Sequence, residues 1–448
     1  MTQQAATLER RYVEAWNAVI GPSSSAVPAE LHALRESAIA KFEEVGFPTA
    51  RRGNEAWKYT DIGPIANAAF DDLAPAAPVR VATDALDQHI MGGSVWNRMV
   101  FVDGHWVPSL TSMPTLPPQV TVTSLAKAMA LHPHLVRDHL GHYAPYDESG
   151  FTALNTAFLR DGAALIVPHD TVVEEPIHFI YLSSSEGQSS VTQPRTLVSM
   201  GRNSKASVIE SYGGLTDTIS LTNAVSEYVL AEGAQLDACR LQQQALPAYH
   251  VGSAQVRLGR NSRFTSGAFD FGGAIARHTL SVALEGEGSE CTLYGLYMTN
   301  QGQHVDNQVL VEHIAPHTTS EQVYKGVLNG KSRGVFHGSI TVRQAAQKTN
   351  AKQSDKNLLL SDEAEVDTKP ALWIYADDVR CGHGAACGKL DDGALFYLQS
   401  RGIDEAAARR MLVHGFANEV LEHVGLTPLR VHLEQLITAS LRHQGRTA

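Results

Sequence analysis

A cysteine and a histidine stand two residues apart near the C-terminal end of the chain, where residues 377–386 read DDVRCGHGAA. The alternation of Val379, Cys381 and His383 predicts a β-strand, and side chains two residues apart on a strand share a face. A thiolate beside an imidazole nitrogen suits iron, copper or zinc. The same pair also fits a buried cysteine next to an ordinary histidine, because cysteine is among the most buried residue types.

A complete metal site is not evident from the spacing of the cysteines. The chain has no Cys-x-x-Cys pair, and Cys239 and Cys291 lie in strand patterns where a small apolar residue is the default. Cys387 could supply a third ligand only if the chain turned at Gly384. Two ligands from this chain, with the remainder from a partner, therefore fit better. Gly382 and Gly384 flank the histidine without side-chain bulk and predict that its ring is open to a partner surface.

Composition excludes several classes of function. The 36 Lys and Arg residues are outnumbered by 47 Asp and Glu, and the formal net charge of −11 argues against a nucleic-acid or anionic-membrane partner. The N-terminus lacks the apolar segment of a signal peptide, and no apolar run reaches the roughly 18 residues of a transmembrane helix. Four cysteines are too few for a disulfide framework. These features predict a cytoplasmic protein with reduced thiols.

The middle of the chain has the pattern of short strands joined by recurring corners. From about residue 164 the hydrophobic period changes from helical to two, and glycines at 201, 233, 259 and 286 mark corners, two of which read GRNS. Short strands with Gly/Asn corners at a loosely fixed period are typical of a stacked β-solenoid. The period alone leaves a β-sandwich open, although the repeated turn chemistry favours the solenoid.

Helical patterns flank this core on both sides. We therefore divide the chain into a mostly helical region at 1–162, a β-helix core at 163–390 and a C-terminal helical region at 391–448. In the last region Asp404 is a predicted N-cap, and Met411, Phe416 and Val420 belong to an apolar stripe. A second helix is predicted to begin at Thr427.

Two enzymatic interpretations can be weighed. Residues 326–332 read GVLNGKS, with three residues between the glycines where a phosphate loop has four, so we expect no bound nucleotide and no ATP hydrolysis. A carbohydrate-active β-helix enzyme needs paired carboxylates on one face of the solenoid. Asp362, Glu363, Glu365 and Asp367 supply acids, but they cluster in a loop instead of alternating along strands. This enzyme remains the alternative to a binding or assembly role.

Several motifs together resemble one family, the SufB/SufD proteins of the SUF iron–sulfur cluster assembly system. The longest part of the resemblance comprises TKP at 368–370, the DDVRCGHGAA run, LFYLQSRGI at 395–403 and GFANEV at 415–420. Earlier parts are NEAWKYT at 54–60, VDG at 102–104, EQVYKGV at 321–327 and AQKTNA at 346–351. SufB-type chains carry a cysteine in the stretch that here reads KQSDKN at 352–357, and Glu-His-Glu-Ala where this chain has Cys381 to Ala385. Both departures indicate the SufD type.

The resemblance implies a fold and a set of partners. Its fold is a right-handed parallel β-helix core flanked by helical regions, which decides between solenoid and sandwich. It implies a non-catalytic subunit that pairs with SufB, carries the ATPase SufC on its C-terminal region through residues such as Asp404, Met411, Phe416 and Val420, and can form a homodimer when SufB is absent. His383 would be the family histidine at the SufB–SufD junction, with Cys381 assisting as a ligand of transient iron or a nascent cluster. Cys387 lies outside the recognised pattern.

Overall fold

The computed structural model describes residues 3–20, 29–48, 54–68, 70–75, 81, 83–184 and 188–443. The helices are α1 (Gln3–Val19), α2 (Ala29–Val45), α3 (Gly63–Asn67), α4 (Thr83–Leu86), α5 (Leu125–Leu131), α6 (Pro133–His139), α7 (Gly150–Ala157), α8 (Asp392–Ser400), α9 (Glu405–Leu421) and α10 (Thr427–His443). The strands are β1 (Asn97–Val102), β2 (His105–Trp106), β3 (Thr121–Ser124), β4 (Gly162–Val167), β5 (Ile177–Ser183), β6 (Ser190–Thr192), β7 (Arg195–Met200), β8 (Lys205–Gly214), β9 (Ser220–Leu230), β10 (Gln235–Gln243), β11 (Tyr249–Leu258), β12 (Arg263–Asp270), β13 (Ile275–Leu284), β14 (Glu290–Thr299), β15 (His304–His313), β16 (Thr319–Leu328), β17 (Arg333–Val342), β18 (Asn350–Leu359), β19 (Glu365–Ile374) and β20 (Arg380–Gly388).

The strands form a β-solenoid with two faces, which confirms the predicted mainly β fold. Within the described residues, sheet 1 runs in the order β2-β1-β5-β8-β10-β12-β14-β16-β18-β20, and sheet 2 in the order β19-β17-β15-β13-β11-β9-β7-β4-β3. From β8 onward successive strands alternate between the sheets, and each pairs in parallel with the strand two positions further along. A β-sandwich of hairpins is excluded because hairpin neighbours pair antiparallel.

The corners repeat as the sequence predicted. Ser204, Ser262 and Ser289 each donate a side-chain hydrogen bond to the carbonyl oxygen three residues earlier, at 2.6–2.8 Å. Asn203 and Asn261 adopt φ values of +53° and +51°, a left-handed conformation that asparagine tolerates better than most residues. The recurring GRNS sequence therefore encodes one corner geometry that is reused from turn to turn.

The core of the solenoid is a stack of inward-facing apolar side chains. On β11, β13 and β15 these are Val256 and Leu258, Val282 and Leu284, and Val309 and Val311, all of them buried. Side chains on a strand alternate between faces, so the residues between them point outward. On sheet 1 the outward face is covered by α9 and α10, which bury Val413, Ala417, Leu433 and Ile437 against it.

The two ends of the solenoid are built differently. At its beginning, β2 pairs antiparallel with β1 and β3 antiparallel with β4, so strands from before residue 163 close the first turn. At its other end, β19 and β20 are edge strands: among the described residues, each pairs only with the strand of the preceding turn. The first turn is therefore capped, whereas the last turn exposes its backbone edge and its interior.

An N-terminal segment crosses the outer face of sheet 2. Within residues 54–60, Trp57 lies under the guanidinium of Arg277, whose Cζ is 3.8 Å from the ring centroid. Glu55 forms an ion pair of 3.0 Å with Lys369 on β19. The segment therefore connects the N-terminal region directly to the last turn of the solenoid. No helix within the described ranges has the length and apolar character needed to cross a bilayer.

Buried histidines make the fold sensitive to acid. His313 is fully buried between the hydroxyls of Thr318 and Ser320, and burial lowers its pKa to about 4. It stays neutral in the folded state, whereas in the unfolded chain it takes up a proton below about pH 6.5. The free energy of unfolding is therefore highest above pH 6.5 and falls as the pH decreases towards 4, by about 2 kcal/mol per such histidine between pH 7.5 and 5.

We predict that His313→Gln lowers stability at pH 7.5 but reduces the further loss at pH 5 by about 2 kcal/mol. Urea unfolding of both proteins at the two pH values measures this difference. His134→Gln, at an exposed histidine of α6, is the matched control and should keep the wild-type pH dependence. An unchanged pH dependence in His313→Gln would show that this histidine is not held neutral.

Candidate functional site at the open end of the solenoid

The predicted pair of donors lies on β20, the last strand of sheet 1. Cys381 packs with the core cluster inside the solenoid and is half-buried, while His383 is exposed. Because they are two residues apart on one strand, both face the interior. Cys387 has the same parity and is exposed. The structure therefore places the thiols and the imidazole along one inward face at the open end.

The exposure of these residues follows from the missing next turn. Gln353, Asp355 and Asn357 of β18 occupy the equivalent inward positions one turn earlier, and all three are buried. Their neighbours on β20 are His383, Ala385 and Cys387, which are exposed. A further turn of strand stacked on β20 would cover these three residues in the same way. The inward face of β20 is thus a part of the solenoid interior that no further turn covers.

The glycines of β20 have a different role from the one predicted. Gly382 and Gly384 alternate with His383 and therefore project to the opposite face of the strand, so they do not expose its ring. The ring is exposed because β20 is the edge. A Cβ built on Gly382, Gly384 or Gly388 would meet nothing within 4 Å, whereas one built on Gly334 or Gly338 would come within 3 Å of neighbouring side chains. This chain's own packing does not require glycine on β20.

The electrostatics of the two thiols favour the protonated form. Burial raises the pKa of the Cys381 thiol. Burial also raises the pKa of Cys387, and the carboxylate of Asp355 adds to the shift. Metal ligation requires the thiolate, so binding would have to displace a proton. Among the described residues, no three or more His, Cys, Asp and Glu side chains are grouped closely enough to hold a metal ion. Cys381 and His383 alone therefore do not make a complete metal site within this chain.

Apolar side chains surround the open end. Trp373, Ile374 and Tyr375, at the end of β19 and just after it, are 58%, 41% and 59% exposed. They adjoin the free edge of sheet 2 and belong to the same last turn as Cys381. Exposed aromatic residues at a backbone edge are typical of a protein–protein interface, since such residues are enriched there and edges invite strand pairing.

The predicted partner-binding residues of the C-terminal helices differ in their exposure to solvent. Asp404 is the N-cap of α9, as predicted, and its side chain accepts a hydrogen bond of 2.9 Å from the Ala407 amide. Met411 is 51% exposed, but Val420 is fully buried against the solenoid. Val420 therefore stabilises this chain's own core and is not available to a partner. The inward face of α9 is formed by Ala408, Val413, Ala417, Val420 and Leu421, so of the predicted stripe only Val420 belongs to it.

The exposed face of α8 was not among the predicted partner-binding residues. This helix begins at its N-cap Asp391, whose side chain accepts hydrogen bonds from two backbone amides, and it contains no buried residue. Phe396 and Tyr397 are 72% and 57% exposed. The LFYL run at 395–398 was the available signal: two consecutive aromatic residues on a short capped helix that is too small to bury both.

A buried lysine ties α9 to sheet 1. Lys325 points outward from β16, is almost inaccessible to solvent and forms an ion pair with Glu419 of α9. Its ammonium also donates a hydrogen bond of 2.9 Å to the carbonyl oxygen of Phe416 and lies 4.3 Å from that ring's centroid. Burial lowers the pKa of Lys325, while Glu419 opposes the shift. The Phe416 ring is therefore already in contact with Lys325 of the same chain and is only partly available to a partner.

The acids of the alternative enzyme are engaged elsewhere. Asp362 pairs with Lys389 at 2.6 Å and is exposed, and Asp367 pairs with Arg333 on the outer face of sheet 2. Glu363 is exposed in the corner that precedes β19. Glu365 and Asp367 lie on β19 itself, so the prediction that all four acids cluster in a loop is wrong for these two. These carboxylates do not face one another across a groove, so the geometry offers no support for glycoside hydrolysis.

We predict that Lys325→Ala loosens α9 and lowers the free energy of unfolding by about 1–3 kcal/mol, because the Phe416 carbonyl and Glu419 lose a buried donor. Hydrogen exchange of the α9 amides and urea unfolding measure the effect. Lys356→Ala is the control: Lys356 lies 3.9 Å from the same glutamate but is 51% exposed, so its loss should cost little. Equal effects of the two variants would contradict the role of Lys325.

Comparison with known proteins covers nearly the whole chain. A family profile described as SufBD protein N-terminal region matches residues 6–179, and one described as SUF system FeS cluster assembly, SufBD core domain, matches residues 181–416. An iron–sulfur cluster assembly SufBD family protein of Synechocystis is 30% identical over 92% of this chain and 95% of its own length. The iron–sulfur cluster assembly protein SufD of Escherichia coli is 31% identical over 84% of this chain and 85% of its own. The chloroplastic protein ABCI7 of Arabidopsis thaliana is 29% identical over 89% and 83%.

Proposed function

The chain belongs to the SufBD family of SUF iron–sulfur cluster assembly proteins, and from that membership we propose that it is the SufD-type, non-catalytic scaffold subunit of a cytoplasmic SufB–SufC–SufD complex. In this role it pairs with a SufB chain and supports iron acquisition and nascent cluster formation at their junction. The observation that carries the proposal is the unfinished last turn, where Cys381 and His383 face inward from an edge strand.

Pairing with SufB would complete this last turn. The free edges of β19 and β20 offer unpaired backbone groups, and a partner strand added to them would bury the exposed inward face of β20. Trp373 and Tyr375 would be covered by the same association. The side-chain-free outer face of Gly382, Gly384 and Gly388 would let a second backbone approach closely. A second copy of this chain has the same edges, which supports homodimer formation when SufB is absent.

The iron or nascent cluster is the cargo of this junction and would be held by donors from both chains. Cys381 supplies a thiol and His383 an imidazole nitrogen, two donors that iron accepts. Since no complete ligand group exists among the residues described, the partner would supply the rest. The Cys381 thiol is protonated at neutral pH when the chain is alone, so ligation of iron would coincide with loss of that proton.

The ATPase SufC would dock on the exposed surface of α8 and the beginning of α9. Phe396, Tyr397 and Met411 form the apolar part of this surface, and Asp404 lies between the two helices. Val420 is excluded by its burial, and Phe416 is only partly accessible. The nucleotide would be bound by SufC, since residues 326–332 span the end of β16 and its corner and do not lead into a helix as a phosphate loop does.

We predict that His383→Ala leaves the complex assembled but lowers its iron and sulfide content to below about a tenth, because ligand loss costs at least as much as loss of an outer-shell partner. Co-expression with SufB and SufC, size exclusion and iron analysis give the measurement. Arg380→Ala changes an exposed residue on the opposite face of β20 and should retain full content. Normal iron and sulfide in His383→Ala would end the ligand assignment.

We also predict that Phe396→Asp and Met411→Asp weaken SufC binding by about tenfold or more, since a charge in an apolar contact is costly. Affinity of the purified chain for SufC measures the change. Val431→Asp on α10, at a residue 46% exposed, is the matched control and should bind normally. SufC binding that is lost in the control and kept in both test variants would move the interface to α10.

A further inference from the structure

A cavity lies inside the middle turns of the solenoid. Its volume is about 20 Å³, and its walls include Arg240 and Ser266 of sheet 1 and His250 and His278 of sheet 2. Strand parity places Ser266 and His278 on the same face as neighbouring core residues, so both point inward. Both nevertheless retain accessible surface. Because they lie within the solenoid, this surface belongs to the wall of the cavity.

Gly252 leaves room for the cavity between two imidazole rings. It is the register partner of His278 on β13 and lines the same cavity. A Cβ at this position would lie 3.1 Å from His250 Nε2 and 2.7 Å from His278 Cδ2. A side chain at residue 252 would therefore fill the gap that the two rings now share.

His250 places a nitrogen acceptor at this gap. Its Nδ1 lies 3.0 Å from Gln244 Oε1, and because an amide oxygen can only accept, Nδ1 carries the proton. Burial and the charge of Arg240 lower the pKa of His250 well below its usual value, so the ring is neutral and Nε2 is an acceptor. Nε2 is buried and receives no hydrogen bond from the described part of the chain.

Arg240 supplies a donor from the opposite wall. Its Nη1 and Nη2 donate hydrogen bonds of 2.7 and 2.9 Å to the carboxylate of Asp270, so its charge is paired. Among the described residues nothing accepts a hydrogen bond from its Nε–H, which is buried. A buried donor or acceptor without a partner is costly. The cavity thus has one unpaired donor on β10 and one unpaired acceptor on β11.

The charged groups at the cavity are already satisfied. Glu210 accepts hydrogen bonds from surrounding tyrosine, serine and threonine hydroxyls. Its carboxylate is therefore not available to a cation. The pairing of Arg240 with Asp270 likewise leaves no uncompensated positive charge for an anion. These contacts favour a neutral ligand that both donates and accepts hydrogen bonds.

Water matches the cavity in size and in chemistry. Roughly 10–15 Å³ is enough to hold one water molecule, and the volume of about 20 Å³ leaves little room for anything larger. A water molecule can donate to His250 Nε2 and accept from the Arg240 Nε–H at the same time. The hydroxyl of Ser266 is a third polar group at the cavity, and buried waters typically make about three hydrogen bonds.

We propose that this cavity binds one structural water molecule, which bridges Arg240 Nε of sheet 1 and His250 Nε2 of sheet 2. The water connects the Arg240–Asp270 pair with the His250–Gln244 pair and so links the two sheets through the interior. The site is independent of the proposed function, because β12, β14, β16 and β18 separate β10 from the edge strand β20.

A crystal structure of the purified full-length chain tests the site, with a second data set from crystals pressurised with xenon. We expect a water peak within about 3.2 Å of both His250 Nε2 and Arg240 Nε. We expect no xenon at this position, because xenon enters cavities that are apolar and dry. An empty cavity, a xenon atom inside it, or a water that contacts only one of the two nitrogens overturns the proposal.

His250→Phe tests the acceptor, since it keeps a planar ring and removes both nitrogens. We expect this variant to lose the water peak, to keep the Arg240–Asp270 pair and to unfold at a lower urea concentration than the wild type. Thr279→Ala, on the outward face of β13, is the control and should keep the water. A water retained at full occupancy in His250→Phe rejects the bridge. If that variant does not fold, the wild-type water and xenon data decide alone.

Discussion

In a parallel solenoid each turn is buried only by the next one, and the properties of this chain depend on that constraint. Inward side chains of the middle turns, such as Val282 and Val309, are covered from both sides and can be apolar. The first turn is closed by antiparallel strands. The last turn has no successor, so inward side chains of β20 such as His383 and Cys387 are exposed. The Cys381–His383 pair is accessible because no further turn of strands covers β20. The local sequence of the pair alone does not determine this exposure.

Sheet 1 connects the inward face of β20 with the exposed surface of α8 and α9. Sheet 1 ends in the donor strand β20, and its outward face carries α9 and α10. Lys325, two strands away from β20, holds α9 through Glu419 and the Phe416 carbonyl. A force applied to α8 and α9 by a bound ATPase would therefore reach sheet 1 near its free edge. Transmission of this kind requires an element with two arrangements. The last turn is the part of sheet 1 least constrained by packing, because β20 is hydrogen-bonded to a neighbouring strand on one side only.

Much of the architecture could be predicted from the sequence, because its signals are local. Period-two hydrophobicity and the repeated GRNS corners favour a solenoid, which the family resemblance decides against a sandwich, and the N-cap Asp404 and the apolar spacing indicate α9 and α10. The parity of Cys381 and His383 was also evident. What could not be predicted depends on contacts distant in sequence. The stripe on α9 gave no means to tell an inward face from a partner face, so Val420 was assigned to the wrong one.

The segment at 54–60 has a consequence for how the chain folds. Thr60 hydrogen-bonds to Asp306 and His304, and Glu55 pairs with Lys369, so contacts of this early segment join residues separated by 246, 244 and 314 positions. During synthesis Trp57 of this segment can stack on Phe151 as soon as α7 exists, but the Thr60 and Glu55 contacts must wait for β15 and β19. Contacts of such long range form late and slow the folding of a domain. The Glu55 contact of this segment can therefore form only once β19 is in place, so a chain that has secured it has already entered its last turn.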